Sequence, residues 1–160
     1  MIVKIAVTIK QSIKFLIKRA RSYYYFGHVH VGVHGKITVG NKANVRIGKG
    51  CSVNAGVLIQ GNHSIDIGDF VVLSSAVQLL DAGLDMDALV EQSKRIHVGK
   101  PVCIGDHSWV AASAIILPGV TLGKNTLVAA GSVVTKTFKD NAVIAGNPAR
   151  LIRYRNTPVQ

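Results

Sequence analysis

Acidic residues are absent from the first 65 positions of this 160-residue chain; Asp66 is the earliest, and ten Lys and Arg precede it. Over the whole chain nineteen Lys and Arg stand against eight Asp and Glu, a net charge of +11. Such a surface suits anionic partners: nucleic acid, anionic lipid or a phosphorylated small molecule. No nucleic-acid-binding signature accompanies the charge, and no basic stretch alternates with aromatics on strands, so nucleic acid is not an expected partner. Cysteine is scarce. Cys51 and Cys103 match no metal spacing and imply no disulfide framework, which points to a reduced, cytoplasmic protein. Aromatics make up 6% of the chain against sixteen glycines, which favours many tight turns over large aromatic packing. A long charge-free apolar run is also missing. The stretch 1–26 is repeatedly interrupted by lysine and is followed by no small-residue cleavage site, so it reads neither as a signal peptide nor as a membrane span.

What that stretch does carry is a helical pattern. Ile5, Ile9, Ile13, Phe15, Leu16 and Ala20 fall near one face, among Lys4, Lys10, Lys14, Lys18, Arg19 and Arg21. A basic amphipathic helix is expected over 1–26. It either packs on the rest of the protein or on a neighbouring subunit, or rests on an anionic membrane as a peripheral contact.

From residue 28 the sequence repeats. Aliphatic residues return every sixth position at Ile104, Val110, Ile116, Leu122, Val128 and Val134, usually followed by a small residue. Upstream, Ile47, Val53 and Ile59 keep the same step, "NHSID" slips it by two, and Ile67, Leu73 and Leu79 resume it. A period of six fits neither a 3.6-residue helix nor an alternating strand. It fits a solenoid in which each face is one short strand and one turn, three faces to a coil. The open ends need caps, and α-helical 1–26 and "DNAVIAGNPARLIRYR" are the candidates. The chain therefore divides into a helix over 1–26, a solenoid over 27–155 with an excursion loop at 81–97, and a tail over 156–160.

The segment "CIGDHSWVAASAIILPGVTLGKNTLVAAGSVVTKTFKDNAVIAGNPARLIRYR" closely resembles the hexapeptide-repeat acyltransferases, in particular the maltose, galactoside and surface-polysaccharide O-acetyltransferases. The resemblance covers about residues 28 to 155. It implies an all-β, left-handed parallel β-helix, a homotrimer with sites between subunits, and acetyl-CoA as donor and co-substrate, with a sugar as acceptor. Carried over position by position, Ala112 and Ala130 would offer backbone groups to the pantetheine amides. Trp109 would line the cleft. Thr135, Lys136, Arg150 and Arg153 would lie near the adenosine phosphates, where cations, and arginine forks above all, suit multiply charged oxygens.

The chain departs from the family where the proton is handled. Transfer to a hydroxyl needs a base; the family places a histidine on the excursion loop, and here Leu84 stands at that position in "AGLDMD". Asp85 and His97 are the candidate substitutes, with His63 and His107 also weighed. Gly56 and Gly61 occupy positions where the galactoside branch holds its acceptor, leaving Asn54, Asn62 and His63 as candidate substrate contacts. His28, His30 and His34 stand at even-numbered intervals, hence on one face if the segment is extended, but no fourth ligand is visible and no metal is expected. Gly40, Gly48 and Gly50 are turn residues, not a phosphate loop. Two functions compete: a CoA-dependent acyltransferase acting on a sugar hydroxyl or amine, and a catalytically inactive scaffold or regulatory protein.

Overall fold

Short β-branched runs separated by glycine-containing turns cannot bury a face alone, so they stack on their own copies. The computed structural model describes residues 2–92 and 94–156, with residues 2–10 as backbone only. Over them the chain winds into a left-handed parallel β-helix of about six turns. One face is built from Gly32–His34, Ser52–Asn54, Val72–Leu73, Trp109–Val110, Leu127–Val128 and Ala142–Gly146, all in parallel register. The second face stacks Thr38–Val39, Leu58–Ile59, Gln78–Leu79, Ile115–Ile116 and Val133–Val134. The third stacks Val45–Ile47, Ile65–Ile67, Val102–Ile104 and Thr121–Leu122.

The six-residue step is the inward column. Val53, Leu73, Val110, Val128 and Ile144 are fully buried one above another on the first face, as are Ile59, Leu79, Ile116 and Val134 on the second. Each such side chain contributes roughly 1.5–3 kcal/mol by leaving water. The slip at 61–64 has a counterpart one coil earlier, where the 3-10 turn Lys42–Asn44 adds the same two residues between Val39 and Ile47. Both occur at the corner joining the second and third faces. At the next coil this corner opens into the excursion: spacing is lost from 80 to 101, wider than 81–97, because the arms of the loop pair as antiparallel strands, Ala82–Leu84 with His97–Gly99. The helix α2 (Met86–Gln92) lies between them.

The corner joining the third and first faces explains the Gly-Asp dipeptides. Asp69 Oδ1 accepts the Lys49 N–H at 3.0 Å, Asp106 Oδ1 accepts the Asp69 N–H at 3.0 Å, and Asp140 Oδ1 accepts the Lys124 N–H at 2.9 Å. Each carboxylate ties its coil to the one before. Glycine precedes each of these amides because the carboxylate fills the side-chain space: a Cβ on Gly68 would lie 2.3 Å from Asp106 Oδ1.

The two caps differ from each other. Helix α1 (Ile2–Phe26) docks its last turns on the first coil, with Tyr25 and Phe26 packed on the core and Ser22 buried. Ser22 Oγ donates to His28 O at 2.6 Å and accepts the Val31 N–H at 3.2 Å. Of the expected helical stripe, the Ile5 and Ile9 side chains lie outside the described residues, as do those of Lys4 and Lys10. Phe15 does not share the stripe: at about 100° per residue it falls well away from Leu16 and Ala20, and its ring lies 5.5 Å from the Arg19 guanidinium. The other cap, "DNAVIAGNPARLIRYR", is a hairpin. Its first half continues the first face as Ala142–Gly146, and Ala149–Tyr154 then turns back antiparallel.

Asp106 also meets Lys124 Nζ at 2.9 Å. That contact, then the Asp69 amide, holds its carboxyl below the usual aspartate value. A depressed carboxyl stabilises the fold above its unfolded pKa, about 3.9 for aspartate, and loses that contribution as pH falls through its folded value. Asp106→Asn is therefore expected to lower the denaturant midpoint near neutral pH, with the gap to wild type closing in acid. A gap of constant size along a pH series would contradict this.

Candidate active site

The residues singled out in the sequence sort onto two edges of the triangular prism. The edge between the first and second faces turns its later coils with type II turns. Ala114 N–H bonds Ala111 O across Ala112 and Ser113, and Ser132 N–H bonds Ala129 O across Ala130 and Gly131, both at 3.3 Å. Ser113 and Gly131 take the left-handed position, at φ 58° and 67°, which this turn requires at its second central residue. Ala112 and Ala130 therefore occupy the first central position, one coil apart. Both are exposed, and neither N–H makes a hydrogen bond among the described residues. A Cβ added at Gly131 would meet nothing within 4 Å. The result is a bare strip of backbone with open donors.

Other predicted residues line the same edge. Trp109 is 49% exposed and donates its indole N–H to Ser74 Oγ at 2.9 Å, spanning two coils. Asn54 sits farther toward the first coil, its amide donating to Leu73 O at 3.3 Å. Arg150 stands opposite Ala145, and Arg153 opposite Val143, on the returning strand. Both guanidinium groups are exposed, donate only to neighbouring carbonyls and enter no ion pair among the described residues.

The edge between the second and third faces carries the rest. Leu84 and His97 are directly paired across the antiparallel ribbon of the excursion loop. Directly paired residues project from the same face of a ribbon, about 5 Å apart, so the imidazole neighbours the leucine that stands where the resemblance requires a base. Leu84 is 43% exposed and His97 is exposed. Asp85 does not present a free carboxylate: its Oδ1 accepts the Asp87 and Ala88 amides at 3.0 and 3.1 Å, which makes it the N-cap of α2. Thr135 and Lys136 lie exposed at the last turn of this edge, separated from Ala130 by the length of the second-face strand Val133–Val134.

Asn62 and His63 lie at the foot of the excursion, and the residue that organises them was not singled out in the sequence. Asp81 is fully buried; its carboxylate accepts the Asn62 and His63 amides at 3.0 and 2.6 Å. Gln60 Oε1 accepts the Asp81 and Ala82 amides at 3.1 and 3.2 Å. The signal was available: an aspartate directly after Leu80, where the six-residue step fails and the chain must leave the stack. His63 packs against Gly99, where a Cβ would come within 2.7 Å of the histidine's own.

His107 belongs to the third corner, away from the loop, in a left-handed turn at φ 57° with its ring stacked on Phe70 at 5.0 Å. Gly56 and Gly61 also hold positive φ, 76° and 69°, so turn geometry accounts for both. The His28 and His30 rings stack at 5.8 Å, and His28 Nε2 meets Ile47 O at 3.2 Å. His34, on the first strand, is held below the ordinary imidazole value by burial and then by Lys18. Among the described residues no three His, Cys, Asp or Glu gather as a metal site.

Three stacked faces, six-residue rungs and a single excursion define a parallel β-solenoid of the hexapeptide type. The model for the bacterial transferase hexapeptide (six repeats) matches residues 101–136. The maltose O-acetyltransferase of Clostridium difficile 630 superposes with a TM-score of 0.77 at 36% identity, over 84% of this chain and 72% of that one. A hexapeptide-repeat-containing acetyltransferase of Vibrio cholerae O1 biovar eltor, complexed with acetyl coenzyme A, gives 0.73 at 28% identity, over 84% and 74%. The galactoside O-acetyltransferase of Escherichia coli (strain K12) is 33% identical over 114 residues, 71% of this chain and 56% of its own length. The chain belongs to the hexapeptide-repeat acyltransferase family, and spans little more than half the length of the curated relatives it matches.

Removing the Asp81 carboxylate leaves two amides without their partner. Asp81→Ala is expected to cost about 2 kcal/mol and to speed hydrogen exchange at Asn62 and His63 more than at the second-face strands. Uniform protection across the loop foot would contradict the anchoring role.

Proposed function

We propose that the chain is an acyl-CoA-dependent acetyltransferase that moves the acetyl group of acetyl-CoA to a hydroxyl or amine of a sugar, in the making of a surface polysaccharide or a related glycoside. The observation that carries this reading is the bare edge at Ala112 and Ala130, with open N–H groups and free arginines beyond it. An extended arm of two amides needs backbone partners and no side chain in its way. Its phosphates need cations, which Arg150, Arg153 and Lys136 supply, with Thr135 beside Lys136. Trp109 walls the strip on the acceptor side, toward Asn54. The acetyl-CoA complex of the Vibrio relative supports the same donor.

In one chain the excursion loop and the alanine strip lie on different edges. A homotrimer resolves this, because the loop of one copy can close over the strip of its neighbour. Within that cleft His97 is the candidate base, standing where Leu84 offers none, and Asn62 and His63 flank it as acceptor contacts. The imidazole takes the proton as the acceptor oxygen or nitrogen attacks the thioester carbonyl. The carbon–sulfur bond then breaks, and the leaving thiolate takes the proton back. The products are the acetylated sugar and CoA, with no outside reactant. In this reading the enzyme needs no metal or nucleic acid and works in the cytoplasm.

Two measurements test this. Titration calorimetry is expected to show acetyl-CoA binding that Ala130→Leu weakens roughly tenfold or more, about 1.4 kcal/mol, without moving the melting temperature. No heat and no thermal shift at millimolar ligand would sink the donor site. On a panel of galactosides, maltose and amino sugars, His97→Gln is expected to lower turnover by about 10²–10⁴ while acetyl-CoA still binds. Unchanged turnover removes His97 as base. Leu84 favours the second reading, an inactive scaffold; it gains ground if wild type is inert on the panel and Leu84→His does not raise turnover.

A further inference from the structure

Helix α1 turns its apolar stripe away from the solenoid it caps. The docked side is Ser22, Tyr25 and Phe26, buried or partly buried on the first coil. On the helical wheel the opposite side holds Ile13, Leu16, Ile17, Ala20 and Tyr23, at positions i, i+3, i+4, i+7 and i+10, with Tyr24 at its margin, its ring 3.9 Å from the Lys42 ammonium of the first coil. Every residue from 11 to 21 is exposed, and the stripe is open to solvent: Leu16 is 63% exposed and Tyr23 66%. The projecting part of the helix therefore keeps its most apolar side in water, although its own body offers a core.

The charges say what covers that side. Lys14 and Arg21 flank the stripe on one side and Arg19 on the other. The helix contains no acidic residue, and neither does any coil before Asp66. A second copy laid against the stripe would bring two rows of like charge together with no carboxylate between them. An anionic lipid surface takes the stripe into its acyl boundary and pairs the flanking cations with headgroups. No described helix is long and apolar enough to cross a membrane, so α1 would lie in the interface plane.

We propose that α1 is an interfacial anchor that seats the solenoid reversibly on anionic lipid bilayers. The test is sedimentation of the full chain with vesicles of phosphatidylcholine, with and without about one third phosphatidylserine. Binding is expected on the anionic vesicles, little on pure phosphatidylcholine, and a fall as salt rises from about 0.05 to 0.5 M. Lys14→Gln with Arg21→Gln is expected to lower the partition coefficient roughly 25-fold, about fivefold per charge. Leu16→Asp with Ile17→Asp is expected to abolish partition while the melting curve of the solenoid and its native mass stay unchanged. The proposal is overturned if the folded chain ignores anionic vesicles at low salt, or if it binds neutral and anionic vesicles alike. It is equally overturned if the double aspartate variant loses native mass yet still binds vesicles, because the stripe is then a contact between copies. None of these readouts requires acetyl transfer, so failure here leaves the transferase reading standing, and failure of that reading leaves this one.

Discussion

Everything in this molecule hangs on side chains that meet their own equivalents one coil away. Val53, Leu73, Val110, Val128 and Ile144 form one column, and the other two faces repeat the device. A column of this kind fixes three things together: the inward residue of each strand, the register of each coil on the next, and the line along which the corners stack. Corners that stack become continuous edges. Chemistry can then be assembled from residues eighteen or more positions apart without any long loop to hold them.

The three edges have diverged. One is locked by aspartates that reach back to the previous coil. The second carries small residues through its last turns, Ala112 with Ser113 and Ala130 with Gly131, and presents the open amides of the two alanines. The third tolerates insertions, two residues at each of the first two coils and a whole ribbon with a helix at the next. Rigid walls on either side give the inserted loop a fixed base, secured by Asp81 and Gln60. Beyond that base lies the tip, where Leu84 and His97 face outward side by side. Such a division leaves the tip free to change without disturbing the alanine edge.

The rungs were readable in the sequence because a period of six has one physical solution at this length, and the resemblance supplied the hand of the coil. Residues in turns were harder. Gly56 and Gly61 looked like lost substrate contacts, but their backbone angles show they serve the corners. Asp85 looked like a spare carboxylate, although an aspartate one residue before "MDALVEQ" is also a helix cap, and capping prevailed. The pairing of Leu84 with His97 carries no periodic signal, since it occurs outside the stack and depends on the arms of the loop folding back. Phe15 is next to Leu16 in the sequence but about 100° away from it around α1, so it does not share the stripe. Asp81 carries little signal, because a lone aspartate at a break looks like an ordinary loop residue until its burial is known.

The reversal at Ala149–Tyr154 has a meaning beyond closure. A stack of parallel rungs offers at its end a template for another rung, from the same chain or a stranger's. Here the last position on that face is taken by a strand running the other way, bearing Arg150 and Arg153 and followed directly by Arg155. A newcomer would meet the wrong polarity and a row of positive charge. Architecture that is one step from a fibre thus ends in a terminator written into its own final hairpin.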